Sequence, residues 1–154
     1  MATTVREKIL ENIETALGDI KIANGYENDI DSVQRWKQAG NSTKLVPCII
    51  LSAGPEEKTP GDPLISCMFN VNVEVWIRHD EETVPGSTDT ILNSLLGDVE
   101  KALAIDETRG GNATDTVITG NMPFETVEGQ AYAGISVDVR IHYRHKRGDP
   151  TQVM

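Results

Sequence analysis

Ile65-Ser66-Cys67-Met68-Phe69-Asn70-Val71-Asn72-Val73-Glu74-Val75-Trp76-Ile77-Arg78-His79 is the stretch whose reading decides the fold. Its odd positions are Ile65, Cys67, Phe69, Val71, Val73, Val75 and Ile77, and its even positions are Ser66, Met68, Asn70, Asn72, Glu74, Trp76 and Arg78. Side chains of a strand point alternately to its two faces, so this period of two predicts a β-strand with one apolar face. At ~3.3 Å per residue an unbroken strand of this kind reaches about 45–50 Å, against the usual length of about five or six residues.

Working outward, Ala131 to His145 repeats the pattern. Ala131, Ala133, Ile135, Val137, Val139, Ile141 and Tyr143 alternate with Tyr132, Gly134, Ser136, Asp138, Arg140, His142 and Arg144. Leu45–Ala53 and Thr114–Thr119 read as further strands, and Ile30, Val33 and Trp36 as one face of a strand or of an irregular arm. Two segments switch to helical spacing. Thr4 and Glu7 form a capping box ahead of Val5, Ile9, Leu10, Ile13, Ala16 and Leu17, and Gly18 is placed to stop that helix. Ser87 or Thr88 opens a second helix with Ile91, Leu92, Leu95, Leu96, Val99 and Leu103 on its apolar side. Gly54 to Pro63, with three prolines and acidic charge, reads as an exposed mobile loop, Asp80 to Gly86 as an acidic turn, and the polar residues from about 146 onward as a flexible tail. The sum is an α+β fold: one domain over 1–154, an antiparallel or mixed β-sheet, and two amphipathic helices packed on one face.

The formal net charge is −10 over 154 residues. That argues against a dedicated nucleic-acid binder, which needs a basic footprint. It suits a surface that DNA slides past without sticking. No stretch approaches the ~20 apolar residues of a membrane span, and Met1 to Arg6 has no apolar leader, so the expected place is the cytoplasm. Cys48 and Cys67, in apolar runs without CxxC spacing, read as small buried side chains.

No P-loop, GxGxxG, GxSxG or HExxH motif occurs, so the chain is read as having no catalytic residues, no cofactor and no metal. His79-Asp80-Glu81-Glu82 reads as a charged strand end ahead of a metal cluster. Two features point to partners instead. Trp76 falls out of phase, on the polar face beside Arg78, which suggests contact with another chain; the competing account is that both sheet faces are partly covered within one chain. Arg140, His142, Arg144, Lys146 and Arg147, with His145, form the one basic cluster in an acidic chain, suited to an acidic patch on a neighbour or to a solvated strand end. Strands that overhang a small domain also tend to meet neighbours.

The order of elements resembles the tail terminator, or tail completion, proteins of long-tailed bacteriophages. The similarity rests on Arg6, Ile9, Ile13 and Leu17 before Gly25-Tyr26, on Val33-Gln34-Arg35, on Val46-Pro47-Cys48-Ile49-Ile50, on Leu95-Leu96-Gly97-Asp98-Val99-Glu100-Lys101-Ala102-Leu103, and on Tyr143-Arg144 followed by Asp149-Pro150. Gly54 to Glu57 matches nothing in that pattern. The resemblance implies a structural virion protein at the tail–head junction. Six copies would form a homo-oligomeric ring on the last ring of the tail-tube protein, stop tube growth and present a docking surface to the head connector, with DNA passing through unbound. The Gly54–Pro63 and Asp80–Gly86 loops are the expected partner contacts. Competing readings are another head–tail joining, neck or tail-tube protein, or a ligand-binding or enzymatic domain with a pocket of Trp76, Tyr132, His142 and Glu74.

Overall fold

The computed structural model of the protein describes residues 2–36, 47–78, 87–125 and 132–154. Helix α1 spans Val5–Gly18. Thr4, in extended backbone geometry, accepts the Glu7 N–H on its hydroxyl at 3.1 Å, which satisfies one of the orphan donors of the first turn. Val5, Ile9, Leu10, Ile13 and Leu17 are buried. A short 3-10 turn over Ile22–Asn24 follows, closed by Gly25 at φ 92°. The strands are β1 (Ser32–Arg35), β2 (Cys48–Thr59), β3 (Leu64–Arg78), β4 (Asp115–Glu125), β5 (Tyr132–Lys146) and β6 (Asp149–Val153), with α2 (Ser87–Ala104) between β3 and β4.

They form one mixed six-stranded sheet, curled into a half-barrel, in the order β1-β2-β3-β5-β4 with β6 also on β5. β1 runs parallel to β2, and the other ladders are antiparallel. β3 and β5 pair without a register shift from Leu64↔Lys146 to Arg78↔Tyr132, so both long alternating strands are unbroken at 15 residues each. Their odd-numbered residues share one face. Phe69, Val71, Val73, Val75, Val137, Val139 and Ile141 join Ile9, Ile13, Leu17, Leu95, Val99 and Leu103 of the helices in a single buried cluster.

Four expectations change. Residues 54–59 are not loop: β2 continues to Thr59 across a bulge between Ala53 and Glu56. Gly54 is needed there, because a Cβ at that position would lie 2.8 Å from the Asn70 carbonyl oxygen. Strand β4 outruns the expected segment, continuing past a bulge between Ile118 and Gly120 to Glu125. The polar tail from 146 is not loose, because Gly148 (φ 80°) turns the chain back and β6 pairs with β5. Ile91, assigned to the apolar side of α2, is 41% exposed. The Gly40–Ser42 and Asp80–Gly86 loops and His79 lie outside the described residues, as do 126–129 of the loop expected at Gly120–Gly129. No helix among the described residues is long and apolar enough to cross a membrane.

Candidate interface on the outer sheet face

The even-numbered residues of β5 face away from the core cluster. Arg140, Arg144 and Lys146 are exposed there, and none makes an ion pair among the described residues. At ~3.3 Å per residue Arg144 and Lys146 stand about 6–7 Å apart, and Arg140 lies about 13 Å from Arg144 with His142 between them. Nδ1 of His142 lies 2.7 Å from Asp115 Oδ1 on β4, so the histidine has a local partner. Arg147 is turned to the chain itself: its N–H donates to Pro63 O at 2.9 Å and its Nη1 to Gly61 O at 3.4 Å. Arg78 is exposed at the far end of β3, fourteen register positions from Leu64 opposite Lys146, and so stands apart from the basic row.

Trp76 is not an exposed contact residue. It is 7% exposed, packed edge-to-face on Phe124 (4.9 Å between centroids) and on Tyr132 (6.5 Å), with buried Cys48 and Ile50 beside it. Its indole N–H donates to Glu74 at 3.2 Å. The outer face therefore carries its own small apolar cluster at one end, which the competing account anticipated. Gly134 makes room for it. A Cβ there would fall 2.5 Å from Phe124 Cζ and closer still to the Val75 carbonyl oxygen. Burial, and secondarily Asp31, pushes the Cys48 thiol up to about 11. A pocket joining Trp76, Tyr132 and Glu74 with His142 does not form. His142 pairs with Met68, six residues along β3 from Glu74, or about 20 Å.

Sequence reading missed a polar knot on the inner face at the opposite end of the sheet. The ammonium of Lys58 lies 3.1 Å from Glu56 Oε2, 3.1 Å from His145 Nε2 and 3.3 Å from Cys67 Sγ, which occupies its three donors. His145 Nδ1 lies 2.8 Å from the Lys146 carbonyl, which assigns its proton to Nδ1 and leaves Nε2 as an acceptor for Lys58. The Tyr143 hydroxyl donates to Glu56, and Arg6 stands 3.6 Å from the same carboxylate with its guanidinium over the Phe69 ring at 4.1 Å. Burial pulls the Lys58 ammonium down, but Glu56 and Cys67 outweigh it and hold it above its ordinary value. Burial and then the Glu56 bond raise Tyr143. Alternation could not reveal it: Ile49, Leu51 and Ala53 put the inward phase on odd positions, and the bulge between Ala53 and Glu56 shifts that phase to Glu56 and Lys58.

Clefts among the described residues open beside the helices. One, of about 490 Å³, lies between the ends of α1 and α2, with Asn12, Thr15, Tyr26, Ile105 and Arg109 in its wall. Arg109 is fully buried at φ 51°, and its Nη2 donates to Leu103 O, in the last turn of α2, at 2.5 Å and to Asp106 O just beyond the helix. Another, of about 480 Å³, lies between α2 and β4. No metal-holding group of His, Cys, Asp and Glu occurs among the described residues. No protein-family model matches this chain, and no curated protein matches it.

Proposed function

We propose that the protein is a structural subunit of a closed homo-oligomeric ring that terminates a bacteriophage tail tube and offers the head connector a docking surface. The observation that carries the reading is the row Arg140, Arg144 and Lys146: three exposed cations with no ion partner among the described residues, in a chain of net charge −10. An acidic surface on a neighbouring protein would pair these three cations. Residues of both helices share the buried cluster with the odd-numbered strand positions, and the even-numbered face is the one this reading offers to neighbours. The length of β3 and β5 supports the same role, because strands of 15 residues extend the outer face beyond what closing one small core requires. The fold expected from the resemblance, α+β with a mixed sheet, fits the molecule. The work of such a ring is geometric: a heterologous contact that closes on itself, around a hole that DNA crosses, in the virion at the tail–head junction.

The test is particle mass by light scattering across concentration, with negative-stain images of the same sample and of the sample mixed with tail tubes. Closed rings that cap tubes support the reading. Filaments growing without limit make the chain a tube protein, and a strict monomer that ignores tubes refutes the proposal. Arg140→Glu with Arg144→Glu is expected to weaken assembly while leaving the melting curve unchanged. Unchanged assembly reduces the row to a solvated strand end.

A further inference from the structure

Lys58 and Cys67 stand directly opposite each other on β2 and β3, one pair from the end of that ladder. Side chains so paired lie side by side, with Cβ atoms about 4.5–5.5 Å apart, so the backbone itself brings the lysine nitrogen to the sulfur. Nζ is 3.3 Å from Sγ. Cys67 is 3% exposed, but the side chain of Lys58 is 47% exposed and reaches the sulfur from solvent. Around that nitrogen are a base, His145 Nε2 at 3.1 Å, and a carboxylate, Glu56 at 3.1 Å. A serine at position 67 would accept the same bond from Lys58, and more strongly, since sulfur is a weak acceptor. What sulfur adds is oxidation. The other cysteine differs: Cys48 is 1% exposed in the outer apolar cluster with Ile50 and Trp76, where burial, and then Asp31, keeps it a thiol.

We infer that Lys58 and Cys67 are the site of an oxidative crosslink, a sulfenamide that joins β2 to β3 when peroxide reaches the protein. The inference rests on the geometry of the polar knot and holds whatever the protein assembles into.

Peroxide attacks sulfur in its thiolate form, and a thiolate at Cys67 meets the Lys58 ammonium as its counter-ion. The O–O bond of the peroxide breaks. Sulfur takes one OH and is oxidised to a sulfenic acid, and the peroxide is reduced, leaving as hydroxide. A sulfenic acid condenses with a nitrogen held beside it. Burial pulls a proton off Lys58, but Glu56 and Cys67 outweigh it, so the ammonium is the resting form. Oxidation removes the charge on sulfur, one of the two groups that keep Lys58 protonated, and Nε2 of His145 is in place to take a proton from Nζ. The amine lone pair then attacks sulfur and the S–O bond breaks. Hydroxide leaves with a second proton from nitrogen, as water, and the third proton stays on nitrogen in the new N–S bond. The proton that passed to His145 remains inside the knot, which keeps one cation for the Glu56 carboxylate. The flexible four-carbon stem of Lys58 closes the remaining gap to sulfur. An excess of thiol reverses the link, giving back the amine and Cys67.

The experiment uses the full chain with Cys48→Ala, so that Cys67 is the sole cysteine and no disulfide forms within the chain. The folded protein is treated with hydrogen peroxide and digested with trypsin. Trypsin should cease to cut after Lys58, so that one peptide spanning 45–78 replaces two. That peptide should be about 2 Da lighter than the sum of an uncut reduced chain over the same residues, the two hydrogens lost from N–H and S–H. Excess thiol before digestion should restore both shorter peptides. Lys58→Arg in the same background keeps a cation for Glu56 but removes the amine. There the light peptide should be absent, and dimedone should trap Cys67 as the sulfenic acid that has no nitrogen to meet. Complete cutting after Lys58, at a peroxide concentration that oxidises Cys67 in the urea-unfolded chain, overturns the inference, whether Cys67 of the folded protein is then found untouched or carrying oxygen. A crosslink that survives Lys58→Arg overturns it as well.

Discussion

Asp98 is the test of how α2 holds the chain that leads into β1. It is 3% exposed on the second helix, and its carboxylate accepts the backbone N–H groups of Glu27 (3.1 Å) and Asn28 (3.0 Å) and the side-chain amide of Asn28 (2.8 Å). Bonds to a charged acceptor contribute about 1.5–3 kcal/mol each, but these three share one carboxylate and do not add in full. Glu27 is exposed, so water reaches part of what Asp98 leaves behind, and the Asn28 amide keeps Ser94 Oγ at 2.9 Å. Asp98→Ala should therefore cost about 3–4 kcal/mol, a large part of the 5–15 kcal/mol typical of a domain. For a chain of this size that lowers Tm by about 6–16 °C. Asp98→Asn keeps one acceptor oxygen but turns a donor toward a donor, and should lose about 2 kcal/mol. Urea unfolding of both variants, with Asn28→Ala and the Asp98→Ala/Asn28→Ala double variant to isolate the coupling, measures this. A loss below about 1 kcal/mol for Asp98→Ala, the scale of an ordinary surface change, would refute the reasoning.

Gly134→Ala should unfold the protein or cost more than about 3 kcal/mol, because the new Cβ meets the backbone of β3 as well as Phe124. Soluble yield and a melting curve decide it, and Phe124→Ala in the same background should not rescue the fold. Lys58→Met strands the Glu56 carboxylate, 9% exposed, with Tyr143 and a more distant Arg6, and should cost about 2–3 kcal/mol; adding Glu56→Gln should recover part of that in urea titrations. The hydrogen bonds from Arg35, at 2.9 and 3.1 Å, hold the Glu7 carboxyl below its ordinary value of 4.5. A depressed carboxyl adds stability above its unfolded value and loses it as pH falls through the folded one. The gap in urea midpoint between wild type and Arg35→Met should therefore be constant near neutrality and close below pH 4.5; a gap unchanged in acid would contradict this.

The fold was legible where one physical rule acted alone. Alternation fixed β3 and β5 nearly to the residue, since a half-buried strand has only two faces and every odd position between 65 and 77 was apolar or Cys. Thr4 and Glu7 located the start of α1 for an equally local reason. It failed where two rules competed. Gly54-Pro55 reads as a loop because both residues weaken strands, yet here they shape a bulge inside β2. The tail was read as loose because Asp149 to Val153 lacks an apolar face, whereas β6 is held by its pairing with β5, and Asp149 accepts from the Thr151 N–H and hydroxyl at 3.1 and 2.5 Å. At the interface, Trp76 was misplaced because alternation gives the face of a residue but not what lies on that face: Phe124 and Tyr132, from distant parts of the chain, cover it.

The dimensions of the elements explain the polar group at the end of the buried face. Strands β3 and β5, 15 residues each, extend about 50 Å, whereas α1, with 14 residues, spans about 21 Å and α2, with 18, about 27 Å. Neither helix is long enough to cover the strands from end to end. Where the helices stop, inward positions lose their apolar partners, and an apolar side chain there would stay wet. Glu56, Lys58 and His145 occupy those positions instead and satisfy one another, with Arg6 of the first helical turn reaching over Phe69 to close the group. The outer face carries its own cluster of Trp76, Phe124 and Tyr132 at one end, and the exposed Arg140 and Arg144 further along β5. A lone domain gains little from strands that outreach their own helices. In an assembly the overhang gives every copy surface at several levels along β5, with Arg140 opposite Asn70 at one and Arg144 and Lys146 opposite Ser66 and Leu64 at another. Different contacts can then be made by different residues of the same strand.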